Sequence, residues 1–205
     1  MGEDYQFRYG QSLAHPQQPQ NPSDAATPTA AARVAAPVES RAKFLGHALH
    51  QQLIPFPFGL LATAVIFDIV HLITDSQEFA TVAYWMIAAG IIGGLMAAVP
   101  GLVDWTAIPK GTRAKKVGAV HGVGNVVVLT LFAASWLLRR DQPTTPEALA
   151  LGLSFAGVAL AAVTGWLGGE LVDRHAVGID DGAHADSPHS LSGRPASEGG
   201  RALAR

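Results

Sequence analysis

Ile54–Thr74 reads IPFPFGLLATAVIFDIVHLIT, 21 residues that carry a single charged side chain, Asp68. A helix rises about 1.5 Å per residue, so this run spans about 30 Å, the thickness of a bilayer's hydrocarbon core. A helix on a soluble bundle would need a charged stripe along its outer face. A strand of a membrane barrel would alternate apolar and polar positions over ~10 residues. Neither pattern is present, so the run reads as a membrane-spanning helix. Three more runs share this character: ATVAYWMIAAGIIGGLMAAVPGLV (Ala80–Val103), VGAVHGVGNVVVLTLFAASWLL (Val117–Leu138) and ALALGLSFAGVALAAVTGWLGGELV (Ala148–Val172). The links between them are short, which favours antiparallel neighbours. The expected fold is all-α, an integral membrane four-helix up-down bundle.

The rest of the composition agrees. Charged residues make up 15% of the chain, against about 25% for a typical soluble domain. The net charge of −2 gives no basic field for nucleic acid. There are no cysteines, which excludes disulfides, thiolate metal sites and a cysteine nucleophile. The start, MGEDYQFRYG, has two acids and no apolar core, so it does not read as a signal peptide. Residues 1–43 are rich in Pro, Gln and Ala and are expected to be a disordered tail, residues 44–179 to form the membrane domain, and residues 180–205 to be a second disordered tail. No nucleophile elbow, phosphate loop or zinc-protease motif occurs, so enzyme chemistry is left undecided.

Lys and Arg set the expected orientation. Arg41 and Lys43 precede the first span, Lys110, Arg113, Lys115 and Lys116 lie between the second and third, and Arg174 follows the fourth. The first loop has none, and Arg139 and Arg140 in the third loop oppose the trend. The positive-inside rule places both termini in the cytoplasm, with the chain in a cell inner membrane. Small residues at steps of four supply packing ridges: Gly157, Ala161, Gly165 and Gly169 on span four, and Gly90, Gly94 and Ala98 on span two.

Polar residues inside or beside the spans are the functional candidates, because ionisable groups are costly in a membrane. Asp68 and His71 share a helix face, one turn apart, and Asp68 is expected to face the bundle and contact His71, in a hydrogen bond that would let both stay buried, or a polar group of a neighbouring helix. His47 and His50 lie just before span one. Asp104 follows span two, His121 and Asn125 open span three on one face, and Glu170 and His175 end span four. In an up-down bundle these groups fall at one cytoplasmic level. Pro55 and Pro57 suit a helix start, where donors are orphaned in any case.

GHALHQQLIPFPFGL, Asp68, AAVPGLVDW, HGVGN and GWLGGELVDRHAVGI, in that order over about Phe44–Ile179, resemble domain-of-unknown-function family 2231. This is a bacterial family of small four-span membrane proteins. Its usual His-Pro-Leu-His-Pro opening is altered here at Ala48 and Gln51, with the His47/His50 spacing kept. The resemblance implies a four-helix membrane domain. Relatives fused to Rieske or cytochrome modules point toward electron transfer.

Three functions stay open. In the first, His47 or His50 and His121 ligate haem b, with Asp104 and Glu170 orienting them, and a redox protein is the partner. In the second, His47, His50, His121, Asp104 and Glu170 hold a divalent metal or relay protons, as in a small transporter acting as a homo-oligomer. In the third, the chain is an accessory or scaffold subunit in lipid, and the same residues tie helices together.

Overall fold

The computed structural model describes residues 36–199. Four long helices dominate: α2, Pro55–Thr74; α3, Gln77–Ala107; α4, Arg113–Leu138; and α5, Ala148–Asp173. A short α1, Leu49–Leu53, leads into α2. All four long elements are long and apolar enough to cross a membrane, with α1 and α2 together forming the first span, Leu49–Thr74. Large apolar side chains such as Ile73, Trp85, Val99, Val123 and Trp166 point outward from the bundle, as expected of helices whose outer surface meets lipid.

Backbone chemistry sets the helix ends. Pro55 and Pro57 would leave the Gln51 and Leu53 carbonyls without helical donors, and they fall at the first turn of α2. α2 ends at Asp75 in the left-handed conformation, and Asp75–Ser76 alone connect it to α3. Thr112 caps α4 by accepting from the Lys115 N–H at 3.1 Å. The tight turn before α1 joins β1 (Lys43–Phe44) to β2 (His47–Ala48). It places Leu45 and Gly46 both at positive φ, the geometry of a type I′ hairpin, which favours glycine at the second position.

Packing is uneven. α2 with α3 and α4 with α5 form two tightly packed hairpins; α3 meets α4 less extensively, and α2 meets α5 less still. Leu61, Ala64, Val65, Ala83, Ile87, Val128, Phe132 and Ala161 make the buried core. The expected small-residue ridges are used only in part. Gly90 leaves the space that Leu61 fills, Gly94 the space for Leu129, and Gly157 the space for Phe132. Gly165 and Gly169 are exposed instead.

The segments flanking the bundle make contacts of their own. Val38 pairs with Val177 in a parallel bridge, and the Gly178 N–H donates to the Val38 carbonyl at 2.7 Å. Lys43 bridges Glu39 at 2.9 Å and Asp180 at 2.6 Å. The Asp180 hydrogen bond is the main reason the Lys43 ammonium titrates above its ordinary value. The Lys43 hydrogen bond likewise holds Glu39 below the usual carboxylate range. Residues 180–199 carry a 3-10 turn at Ser190–Ser192 and a Ser187 hydroxyl bond to the Ala196 carbonyl. Short side-chain-to-backbone bonds of this kind order a polar segment without an apolar core. The expectation for residues 1–35 and 200–205 lies outside the described residues.

Candidate functional site

The polar side chains occupy two levels. At the end where α2 meets α3, Asp68 and Arg139 are both fully buried. Arg139 Nη1 donates to Asp68 Oδ1 at 2.6 Å and Nη2 to Oδ2 at 2.8 Å. Arg139 Nε donates to Ser135 Oγ at 3.2 Å, and Nη2 also reaches Ser154 Oγ at 3.0 Å. Ser135 and Ser154 hydrogen-bond each other at 2.8 Å, and Ser135 donates to the Ala150 carbonyl at 2.7 Å. The guanidinium fork matches the carboxylate in both prongs, and three helices contribute to one network.

Of the two partners open to Asp68, His71 or a polar group of a neighbouring helix, the carboxylate takes the second, Arg139. His71 turns its Nδ1 toward the Ser76 carbonyl, 2.9 Å away, and ties off the α2–α3 turn. Arg139 is not a loop cation opposing the orientation rule, because it is the C-cap of α4 and is neutralised in the interior. The signal was present in the sequence: an acid alone inside a span demands a cation from another span, and Arg139 closes the third run.

At the other level His50 Nδ1 lies 2.8 Å from the Ala97 carbonyl, and His121 Nδ1 lies 2.8 Å from the Thr164 carbonyl. A carbonyl only accepts, so each Nδ1 carries the proton. Asn125 Nδ2 donates to the His121 carbonyl at 2.9 Å and approaches His121 Nε2 at 3.2 Å. Thr164 Oγ1 donates to Asn125 Oδ1 at 3.1 Å. The two imidazole rings stand 6.3 Å apart between centroids, at 89°. All four spans therefore contribute to this level, through His50, the Ala97 carbonyl, His121 with Asn125, and Thr164.

The remaining candidates fall at the same end of the bundle and look elsewhere. The Asp104 carboxylate accepts from Ser40 Oγ at 2.8 and 2.9 Å, from the Arg41 N–H at 2.8 Å and from the Ala42 N–H at 3.1 Å. It anchors the lead-in segment; backbone carbonyls, not Asp104 or Glu170, orient the imidazoles. His47 meets Ser190 of the C-terminal segment at 3.4 Å. The Glu170 and His175 side chains make no hydrogen bond among the described residues. No three His, Asp or Glu side chains among the described residues form a group able to share a metal ion. The five-residue metal set His47, His50, His121, Asp104 and Glu170 is thus not assembled; His50 and His121 are the pair brought together. Thr164 was missed because a threonine inside an apolar run also reads as simple packing.

Four membrane-length helices with this order of His, Asp and Gly motifs point to one family. The family described as a predicted membrane protein (DUF2231) matches residues 46–181. The chain is a member of that family. The match covers all four spans and both polar levels, and it ends at the Asp180–Asp181 turn that closes on Glu39. No curated protein and no solved structure matches the chain. Family membership makes it an integral membrane protein in contact with a lipid bilayer, with no activity attached.

Proposed function

We propose that this member of the DUF2231 family is an inner-membrane accessory module with both termini cytoplasmic, and that its intramembrane polar residues hold the helices together. The observation that carries this reading is where those residues place their hydrogen bonds. His50 ties α1 to α3, His121 and Asn125 tie α4 to α5, and Arg139 ties α4 to α2 and α5. Between the two levels Leu61, Ile87, Val128 and Phe132 pack into a layer with almost no exposure. Along α4, the gap from Asn125 to Ser135 is about 15 Å at 1.5 Å per residue. That is too far for a proton to hop without intervening polar groups, so passage of protons or metal ions through one bundle finds no support in this geometry. The orientation rests on Arg41, Lys110, Arg113 and Lys116, exposed at one end.

A second reading has its own support. The 6.3 Å centroid separation of His50 and His121 is about the span of two imidazoles bonded to one ion at ~2 Å per bond. Each Nδ1–H is fixed on a carbonyl, the arrangement that leaves Nε2 to face a metal. Two imidazoles are all the protein ligands a haem iron takes, whereas a bare ion would need further ligands from outside the pair. Bound haem would supply one-electron chemistry, and a redox protein would then be the partner. Asn125 would first have to release His121 Nε2.

Purification in mild detergent, followed by an absorption spectrum and metal analysis, separates the two. The accessory reading expects no haem band and metal well below one equivalent. One equivalent of haem or metal, lost in His50→Ala and in His121→Ala, would overturn it in favour of the second reading.

A further inference from the structure

His50 and His121 stand 71 positions apart, and so do Asp68 and Arg139. These are the pairs that meet at the two polar levels, the imidazoles edge to face and the ion pair fork to carboxylate. The same offset relates Leu61 to Phe132, and each fills the space left by a glycine on the next helix, Gly90 for Leu61 and Gly157 for Phe132. Those two glycines are 67 positions apart. The 67-residue offset also relates Ala97 to Thr164, whose carbonyls accept from the two imidazoles, and Gly101 to Gly168, on which the two rings lie. Burial repeats with both offsets, 71 for the first pair below and 67 for the other two. Ala64 and Ser135, Ala83 and Ala150, and Ile87 and Ser154 are all fully buried.

We infer that the membrane domain is a duplicated two-helix hairpin, with halves Leu49–Ala107 and Arg113–Asp173 related by a pseudo-twofold axis along the bilayer normal. On that axis the Asp68–Arg139 pair is the lock that makes unlike halves associate. α2 and α4 run in the same direction, so the repeats are parallel and the axis is normal to the membrane rather than in its plane. A residue on a twofold axis meets its own equivalent. That is why the first and third spans, diagonal in the bundle, meet through His50 of α1 with His121 and through Asp68 with Arg139. The tight packing inside each half and the looser packing between halves fit the same scheme.

The axis gives the charges their purpose. A hairpin paired with its own copy would bury Asp against Asp or Arg against Arg. Pairing with the other half buries a matched ion pair, so specificity comes from repelling the wrong partner as well as attracting the right one. The hydroxyls of Ser135 and Ser154 that serve the cation have Ala64 and Ile87 as their equivalents in the first half. The lock therefore has a direction, written in three position pairs: 64 with 135, 68 with 139 and 87 with 154.

The test transplants that set within the full-length chain. Four variants are compared with the native protein by monomer yield in detergent and by thermal unfolding: D68R, R139D, D68R/R139D, and the six-site variant A64S/D68R/I87S/S135A/R139D/S154I. D68R and R139D are each expected to lose about tenfold or more of folded monomer, because each buries like charges. The six-site variant is expected to recover most of the loss, and the bare charge swap less, since its relocated cation lacks the hydroxyls. A parallel selection guards against a packing failure. Full-length D68R carrying a C-terminal folding reporter is randomised at positions 64, 87, 135, 139 and 154. Survivors with an acid at 139 and a small polar residue at 64 or 87 support the axis even where the six-site variant packs poorly. A six-site variant no better than D68R, together with survivors lacking that composition, overturns it.

Discussion

Arg139 reaches from the end of α4 to Asp68 in α2 and meets both carboxylate oxygens, at 2.6 and 2.8 Å, with neither side chain open to solvent. Removing one partner strands the other charge, at a cost of about 3–5 kcal/mol in a buried site. Asp68→Asn keeps a hydrogen-bond acceptor and on sequence grounds would be tolerated. The structure reverses that expectation, since an amide leaves the guanidinium uncompensated. Asp68→Asn and Asp68→Leu are both expected to lower the unfolding temperature in detergent sharply. The double variant D68L/R139M should recover most of it, because an apolar pair of similar volume often matches a buried ion pair. An Asp68→Asn protein as stable as the native one would show that the pair does not hold the bundle.

With Arg139 sequestered, Arg140 is the cation left in the third loop, exposed beside Asp141 at 3.5 Å. The orientation bias is therefore stronger than a count of loop charges suggests. Reporters fused after Ser76 and after Thr112 are expected to give opposite signals, the first periplasmic and the second cytoplasmic. A periplasmic signal after Thr112 would reverse the assignment.

Gly101 and Gly168 lie under the imidazoles. A methyl group at Gly101 would come within 2.7 Å of His50 ring atoms, and one at Gly168 within 3.1 Å of His121. Each ring is pinned by its carbonyl, so Gly101→Ala is expected to cost about 1–3 kcal/mol, as overpacking does. Gly168→Ala should cost less. Gly122, where an added methyl group would meet nothing within 4 Å, is the control; its alanine variant should be neutral or slightly stabilising. Thermal unfolding of the three variants ranks them, and an equal effect at all three positions would contradict the ring packing.

The Glu39–Lys43–Asp180 contacts fasten residues around 180 to the segment before span one. Glu39 titrates below its ordinary 4.5 in the folded chain, so its share of the stability is present above that pH and is lost as pH falls through the lowered value. Lys43 titrates above its ordinary 10.5, so its share is present below that pH and is lost as pH rises through the raised value. Protease protection of residues 180–199 should therefore be flat across neutral pH and fall toward strong acid and strong alkali. Lys43→Ala should loosen the segment at pH 7 while leaving unfolding of the bundle nearly unchanged, because the side chains are partly exposed and screened.

The spans were legible because a bilayer demands about 20 apolar residues in a row, and no soluble fold imitates that four times over. Partner choice was less legible. Asp68 stood out as a buried acid, but the nearest candidate by helical spacing, His71, competed with a residue 71 positions away. Spacing along one helix reports neighbours on that helix and is silent about the helix opposite. The imidazole level was readable as a level, since short loops force helix ends together. What each histidine bonds to was not, because backbone carbonyls carry no mark in the sequence. Asp104 shows the same limit: its ligands are two backbone N–H groups and a serine in a stretch whose composition suggested no structure.

A lone charge moved across a membrane gains or loses about 2.3 kcal/mol per 100 mV of transmembrane voltage. Asp68 and Arg139 sit within one hydrogen bond of each other, and their charges cancel. The field does almost no net work on them, so the pair is indifferent to whether the membrane is energised. Replacing Asp68 by a neutral residue would end that indifference and leave one positive charge, held at a single depth, coupled to the voltage.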